Sequence, residues 1–215
     1  MKGDYIVSRT ANRTKVHILR AAIELFSVQG FGSTSIREIA EAAKVNAALV
    51  SYHFKNKQGV LESIMVDYFE KLFFELEADQ SGQAEDRDSF ADLMRVVDIV
   101  IGYQCKNLEV SRIIQRELSV DSMLIREVMS TYIAKLKANF SLHLERGIEA
   151  GQFRQDLEVD MQIIHMMSSI FFPYFNPQII REVFYVEPLD DNYREEYVRY
   201  LSKIWFSQLK NDEIC

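Results

Sequence analysis

Four histidines and two cysteines are the side chains of this sequence best suited to ligate a metal or attack a carbon centre. Their spacing serves neither purpose. His17, His53, His143 and His165 form no His-Glu-x-x-His pair and no other metal-ligand spacing. Cys105 and Cys215 cannot build a disulfide framework or a four-thiolate zinc site, and they suit a reducing, cytoplasmic setting. The chain has no phosphate loop, no dinucleotide fingerprint and no nucleophile elbow. No catalytic residue, cofactor or metal is expected, and the many acids are assigned to solvated helical faces.

The basic residues carry more information. The formal net charge is −7, from 25 Lys+Arg against 32 Asp+Glu, which argues at first sight against nucleic acid. Residues 1–60, however, hold Lys2, Arg9, Arg13, Lys15, Arg20, Arg37, Lys44, Lys55 and Lys57 against Asp4, Glu24, Glu38 and Glu41, nine against four, or +5. The remaining residues then hold 25 − 9 = 16 basic and 32 − 4 = 28 acidic side chains, or −12. A basic head on an acidic body places a polyanion at one end only.

The elements that must position those charges are helices. Only 8 Gly and 3 Pro interrupt the chain, which disfavours an all-β fold and its many turns. Val16, Leu19, Ala22, Ile23 and Phe26 recur at helical spacing and predict a first helix that stops at Gly30. Ser35 three residues before Glu38 is a capping box for a short second helix carrying Ile36, Ile39, Ala40 and Ala43. Lys44-Val45 makes a turn, and Asn46 caps a third helix from Ala47 to about His53. Further helices are expected at 57–78, 89–105, 109–118, 122–150, 157–173, 177–185 and 191–209, with a polar loop at 79–88. Met161–Ile180 lacks Asp, Glu, Lys and Arg, but its polar residues and two prolines make it a buried helix of a soluble protein, with no membrane span. No signal peptide is expected, because no apolar core follows the first basic residues.

A long helix, a short one, a tight turn and a second short one are the helix-turn-helix plan. The last helix must enter a groove about 12 Å wide, so its outer face should be small or polar and its inner face apolar. Ala47, Ala48 and Ser51 are small or polar; Val45, Leu49 or Val50, and Phe54 can anchor.

The segment ILRAAIELFSVQGFGSTSIREIAEAAKVNAALVSYHFKNKQGVLESI, Ile18 to Ile64, resembles the N-terminal signature of the TetR family of bacterial regulators. The resemblance rests on the Ala-Ala and Leu-Phe pairs of the first helix, Gly30-Phe31, Thr34-Ser35, Ile39-Ala40, Val45, Tyr52-His53-Phe54 and Lys57. It implies an all-α homodimer with a head (1–56, linking helix from 57) and a helical body (57–215). It also implies phosphate contacts by Thr34, Ser35 and Lys57, and backbone contacts by Tyr52 and His53. Asn46, Ala47 and Ala48 then face bases, Arg37 is the candidate for a bidentate guanine contact, and Ser51 and Lys55 complete the DNA-facing set. Two positions depart from the pattern. Lys44 stands where the family usually has glycine, and offers a further phosphate contact. Ser51 replaces a frequent aromatic, which weakens base readout there.

The resemblance implies that the last two long helices dimerise the protein on a palindromic double-stranded site, through Ile163, Ile164, Met167, Ile170 and Phe171 on one and Tyr197, Leu201, Ile204, Trp205 and Leu209 on the other. Met94, Tyr103, Met123, Met129, Met166 and Phe172 are either ordinary core or the lining of a small-molecule pocket. A narrower resemblance, over Arg116–Phe140, Phe172–Pro188 and the VNAALVSYHF segment, is to the RefZ subgroup of Bacillus and relatives. It implies palindromic chromosomal sites on the nucleoid, an effect on FtsZ ring placement, and Arg112, Arg116 and Arg126 as a surface for FtsZ or another division protein. The alternatives are a ligand-responsive repressor of metabolic or efflux genes and a helical interaction module without DNA binding.

Overall fold

The computed structural model describes residues 3–79, 88–120 and 122–210, with side chains for 13–78, 88–120 and 122–210. Lys2, the middle of the expected polar loop (80–87) and Cys215 lie outside these residues. The described residues are helical and contain no strand. The helices are α1 (Gly3–Ser33), α2 (Ile36–Ala42), α3 (Ala47–Phe54), α4 (Lys57–Asp79), α5 (Ser89–Lys106), α6 (Leu108–Leu118), α7 (Met123–Val128), α8 (Ala134–Glu149), α9 (Val159–Phe175), α10 (Pro177–Phe184) and α11 (Asp191–Leu209). The all-α expectation holds.

Two local differences from the sequence reading have physical content. The single helix expected at 122–150 is interrupted by a π-helical turn, Met129–Ile133; apolar periodicity does not register one widened turn. Helix α9 does not stop at Pro173 but runs through it to Phe175. A proline inside a helix leaves the carbonyl four residues earlier without its N–H. That carbonyl belongs to Ser169, and the Tyr197 hydroxyl donates to it at 2.9 Å. Pro177 then opens α10 in its first turn, where a missing N–H costs nothing.

The chain forms two compact units, residues 1–70 with 109–128, and residues 71–108 with 129–215. The sequence reading cuts the chain once, after residue 56; the packing also groups α6 and α7 with the head. In the first unit Ile18, Ala22, Phe26, Ile39, Val50, Phe54, Val60 and Met65 are buried, joined by Ile113, Ile114, Leu124 and Ile125 of α6 and α7. Tyr68 on α4 and Ser111 on α6 share a buried hydrogen bond of 2.9 Å. Arg116 on α6 donates to the Phe26 carbonyl at 3.4 Å, one turn before the kink of α1 at Gly30, where the carbonyl end of that helical segment favours a cation. Arg116, expected as partner surface, thus also serves the fold. Arg112 is half-buried and Arg126 exposed.

The core of the second unit is built from Leu93, Val97, Val100 and Ile101 of α5, Leu136, Phe140 and Leu144 of α8, Met166 and Tyr174 of α9, and Phe153. Gly147 is required there, because a Cβ on it would lie 2.1 Å from the Phe153 ring. The expected dimer residues divide. Ile163, Ile170, Leu201, Trp205 and Leu209 are buried in the protomer's own core, so they cannot meet a partner. Each helix has two apolar stripes, and a periodicity that finds both does not say which one faces inward. Ile164 is exposed, while Met167, Phe171, Tyr197 and Ile204 are half-buried. The residues offered for a pocket are also scattered. Tyr103 and Met166 are core, Met94 is half-buried, and Met123, Met129 and Phe172 are exposed.

Candidate nucleic-acid interface

The interface begins where α1 breaks. Gly30 has φ 85° and ψ 160°, a conformation that side chains resist. The Thr34 hydroxyl donates to the Gly30 carbonyl at 2.8 Å and accepts from the Gln29 amide at 3.2 Å. Thr34 is buried. Its expected phosphate contact is therefore withdrawn: the hydroxyl secures the turn between α1 and α2.

Ser35 is exposed and caps α2. Its Oγ accepts the Glu38 N–H at 3.2 Å, and the Glu38 carboxylate accepts the Ser35 N–H at 2.7 Å. These bonds, first the Ser35 side chain, then its backbone and Gln29, hold the Glu38 carboxyl below its ordinary value, with Lys57 adding to the effect. Arg37, the second residue of α2, is exposed.

The turn from α2 to α3 closes by two bonds, Lys44 N–H to the Glu41 carbonyl at 3.0 Å and Val45 N–H to the Ala40 carbonyl at 2.9 Å. This is the Schellman arrangement, and it requires a left-handed residue between. Lys44 fills that place with φ 55°. Its side chain is exposed and lines a shallow groove with His17 and Arg20 of α1, so the departure from glycine places one more cation beside the turn.

Helix α3 starts on Asn46, whose side chain accepts the Ala48 N–H at 2.8 Å. Val50 and Phe54 are buried, which decides between Leu49 and Val50 as the anchor. Positions 47, 50 and 54 follow the three-and-four rhythm of an inner face, so the spacing from Ala47 carried that signal. Ala48, Leu49, Ser51 and Tyr52 are exposed, Tyr52 by 82%. Leu49 is an outward residue that the sequence reading did not place there. Ala47 is half-buried at the flank. His53 is half-buried between the Tyr52 ring, 5.2 Å away, and the Phe54 ring, 6.1 Å away.

The far end of α3 is shaped by a second left-handed residue, Lys55, with φ 66° and its N–H on the Ser51 carbonyl at 2.8 Å. Asn56 then accepts the Gly59 N–H at 2.9 Å. Gly59 is another residue sequence reasoning missed. A Cβ there would sit 2.1 Å from the Phe54 carbonyl oxygen, so only glycine lets α4 start this close to the end of α3. Lys55 is exposed; Lys57 is half-buried. The Lys57 ammonium donates to the Phe31 carbonyl at 2.6 Å and the Gly32 carbonyl at 3.2 Å. It also lies 4.4 Å from the centre of the Phe31 ring. Lys57, expected on a phosphate, is engaged in tying α4 to the turn that follows α1.

The outward side of this head therefore offers exposed cations at Arg37, Lys44 and Lys55, a helix face of Ala48, Leu49, Ser51 and Tyr52, and two capped helix N-termini. The TetR N-terminal signature, described as bacterial regulatory proteins of the tetR family, matches residues 18–64. A tetracyclin repressor-like C-terminal domain matches residues 91–203. The chain is 35% identical over 192 residues to the probable HTH-type transcriptional regulator YttP of Bacillus subtilis (strain 168), covering 89% of this chain and 91% of that protein. The chain belongs to the TetR family. It is also 26% identical to the HTH-type transcriptional repressor KstR2 of Rhodococcus jostii (strain RHA1), over 74% of this chain and 76% of that one. The transcriptional regulator FadR from Bacillus subtilis, solved in complex with stearoyl-CoA, shares the fold with a TM-score of 0.71 at 17% identity, covering 87% of this chain and 97% of that chain. As a TetR regulator the chain has a helix-turn-helix DNA-binding head, and α2 and α3 are that motif. No described helix is long and apolar enough to cross a membrane.

Proposed function

We propose that the protein is a homodimeric regulator that binds a palindromic site in double-stranded DNA, with α3 of each protomer in a major groove. One observation carries this reading. The outer face of α3 holds Ala48, Leu49, Ser51 and Tyr52, with exposed Arg37 and Lys44 before it in the chain and exposed Lys55 at its end. Small side chains allow the backbone to approach base edges, while the cations meet phosphates. Arg37 reads a guanine, Asn46, Ala47 and Ala48 face bases, Ser35 and Lys44 bind phosphates, and Tyr52, His53 and Lys55 meet the backbone at the far end. A salt titration on a native site tests this. Log K should fall by about 0.9 per neutralised phosphate for each tenfold rise in salt; a flat response would remove DNA as the partner.

The finer form of the reading is a RefZ-type regulator that acts on FtsZ ring placement from chromosomal sites in the cytoplasm. The segments Arg116–Phe140 and Phe172–Pro188 support it, with Arg112 and Arg126 as the surface for a division protein. A second reading is a repressor released by a small molecule. It is favoured by Gln104 Oε1 and Trp205 Nε1, which are buried in the second unit without a hydrogen-bond partner; such atoms call for a water or a ligand. FadR, solved with stearoyl-CoA, supplies the ligand class to try first. A genome-wide map of bound sites separates the two readings. Sites scattered away from promoters support the first; sites confined to promoters, with acyl-CoA releasing the DNA, support the second.

A further inference from the structure

Helix α10 and the four residues after it form an apolar arm. Pro177 and Ile180 are buried against the second unit, and Pro188 is buried where the chain returns toward α11. Between these anchors the run Val183-Phe184-Tyr185-Val186 points outward, with Val183 61%, Phe184 60% and Tyr185 89% exposed. Ile179 on the same helix is exposed as well. Four consecutive exposed apolar residues are not left to water in a soluble protein without a purpose. The Arg181 guanidinium of the arm pairs with the Glu187 carboxylate at 3.6 Å, and Glu182 is an exposed charge on the same helix. Tyr185 is held at φ 57°, a backbone conformation that a bulky residue adopts only when something over-determines it.

The flanking helices indicate what covers the arm. On α9 the residues outside the core follow Met161, Ile164, Ser168, Phe171 and Phe175, and on α11 they follow Tyr193, Tyr197, Tyr200 and Ile204. Both runs alternate steps of three and four, the spacing of a seam between helices. Phe171 stacks on Phe175 at 5.1 Å and Tyr193 on Tyr197 at 5.5 Å, so both seams are aromatic at the ends nearest the arm. The arm is the chain segment that joins the two seams. Its exposed run carries no charge, which suits contact with a like surface across a two-fold axis.

We infer that the arm, Ile179 to Val186, is an interaction surface for a second copy of this chain, where Phe184 and Tyr185 extend the seam formed by α9 and α11. This inference rests on the homodimer reading above and adds to it a specific segment outside the two long helices.

Sedimentation equilibrium of the full chain tests it, with Val183→Ser/Phe184→Ser as the arm variant and Ile164→Glu as the seam variant. The wild type should dimerise at micromolar concentration, and the arm variant should raise the dimer dissociation constant by about tenfold or more with unchanged helical circular dichroism. A monomeric wild type would overturn both the dimer reading and the arm. A dimeric wild type that Ile164→Glu dissociates but the arm variant leaves within about twofold would overturn the arm alone. Amide exchange on the wild type guards against a variant that fails to fold. Exchange in 177–186 should slow as concentration rises through the dimer transition, and a rate independent of concentration would overturn the proposal.

Discussion

The Tyr197 hydroxyl on α11 donates at 2.9 Å to the Ser169 carbonyl, the one that Pro173 deprives of its helical N–H four residues on. One phenol thereby lets a proline sit inside α9. Tyr197→Phe should destabilise the protein by about 1–3 kcal/mol, the cost of stranding a part-buried acceptor. In the background of Pro173→Ala, which restores the N–H, the same substitution should cost much less. A thermal double-mutant cycle measures the coupling, and additive losses would refute it. Burial first, then Tyr193 and Tyr200, raises the Tyr197 phenol to about 12. The unfolded phenol ionises near its ordinary value of 10.0, so the contribution of Tyr197 is full below pH 10 and is lost as pH rises toward 12. Tyr197→Phe should flatten the alkaline limb of the stability profile.

Lys57 should behave as a structural cation. Its bond of 2.6 Å to the Phe31 carbonyl and its place on the Phe31 ring predict that Lys57→Ala destabilises the head by about 1.5–3 kcal/mol. The salt slope of DNA binding should stay unchanged. A slope shallower by about 1 in folded protein would instead return Lys57 to a phosphate.

Lys44 occupies a left-handed position, where a residue with a Cβ is disfavoured by about 1–2 kcal/mol. Lys44→Gly should raise the midpoint of thermal unfolding. It should also weaken DNA binding on every sequence alike, with a shallower salt slope, because the phosphate contact is lost. Stability and affinity moving in opposite directions is the signature to look for.

Arg37→Ala should cost about 1–3 kcal/mol of discrimination at one base pair of each half-site, read from binding to a set of single-substitution operators. Equal weakening across the set would reassign Arg37 to the backbone.

The Glu38 carboxylate caps α2 with its titration displaced below the ordinary 4.5 by its bonds to Ser35. A depressed carboxyl stabilises the fold above its unfolded value, and that contribution is lost as pH falls through the folded one. Amide protection at the start of α2 should therefore decline only below about pH 4.5 in wild type. In Glu38→Gln it should be weaker at neutral pH and show no such acid step.

Most of the helices, and the helix-turn-helix of the head, were legible along the chain. Helical periodicity, the Ser35–Glu38 box, the Asn46 cap and the turn at Lys44 are local: each depends on residues within five positions of one another, so spacing alone carries them. The surplus of basic residues before position 60 was legible for the same reason, since charge needs no geometry to be counted. Tertiary structure decided what the spacing left open. It turned one apolar stripe of α9 and of α11 inward, so Ile163, Ile170, Leu201, Trp205 and Leu209 became core. It gave the Thr34 hydroxyl to Gly30 and the Lys57 ammonium to Phe31, and it required a glycine at 59 because α4 begins against the end of α3. It carried α9 through Pro173 because a tyrosine 24 residues later in the chain supplies the missing donor. Each of these depends on atoms brought together by the fold, and a pattern along the chain holds no record of which neighbours a side chain will meet.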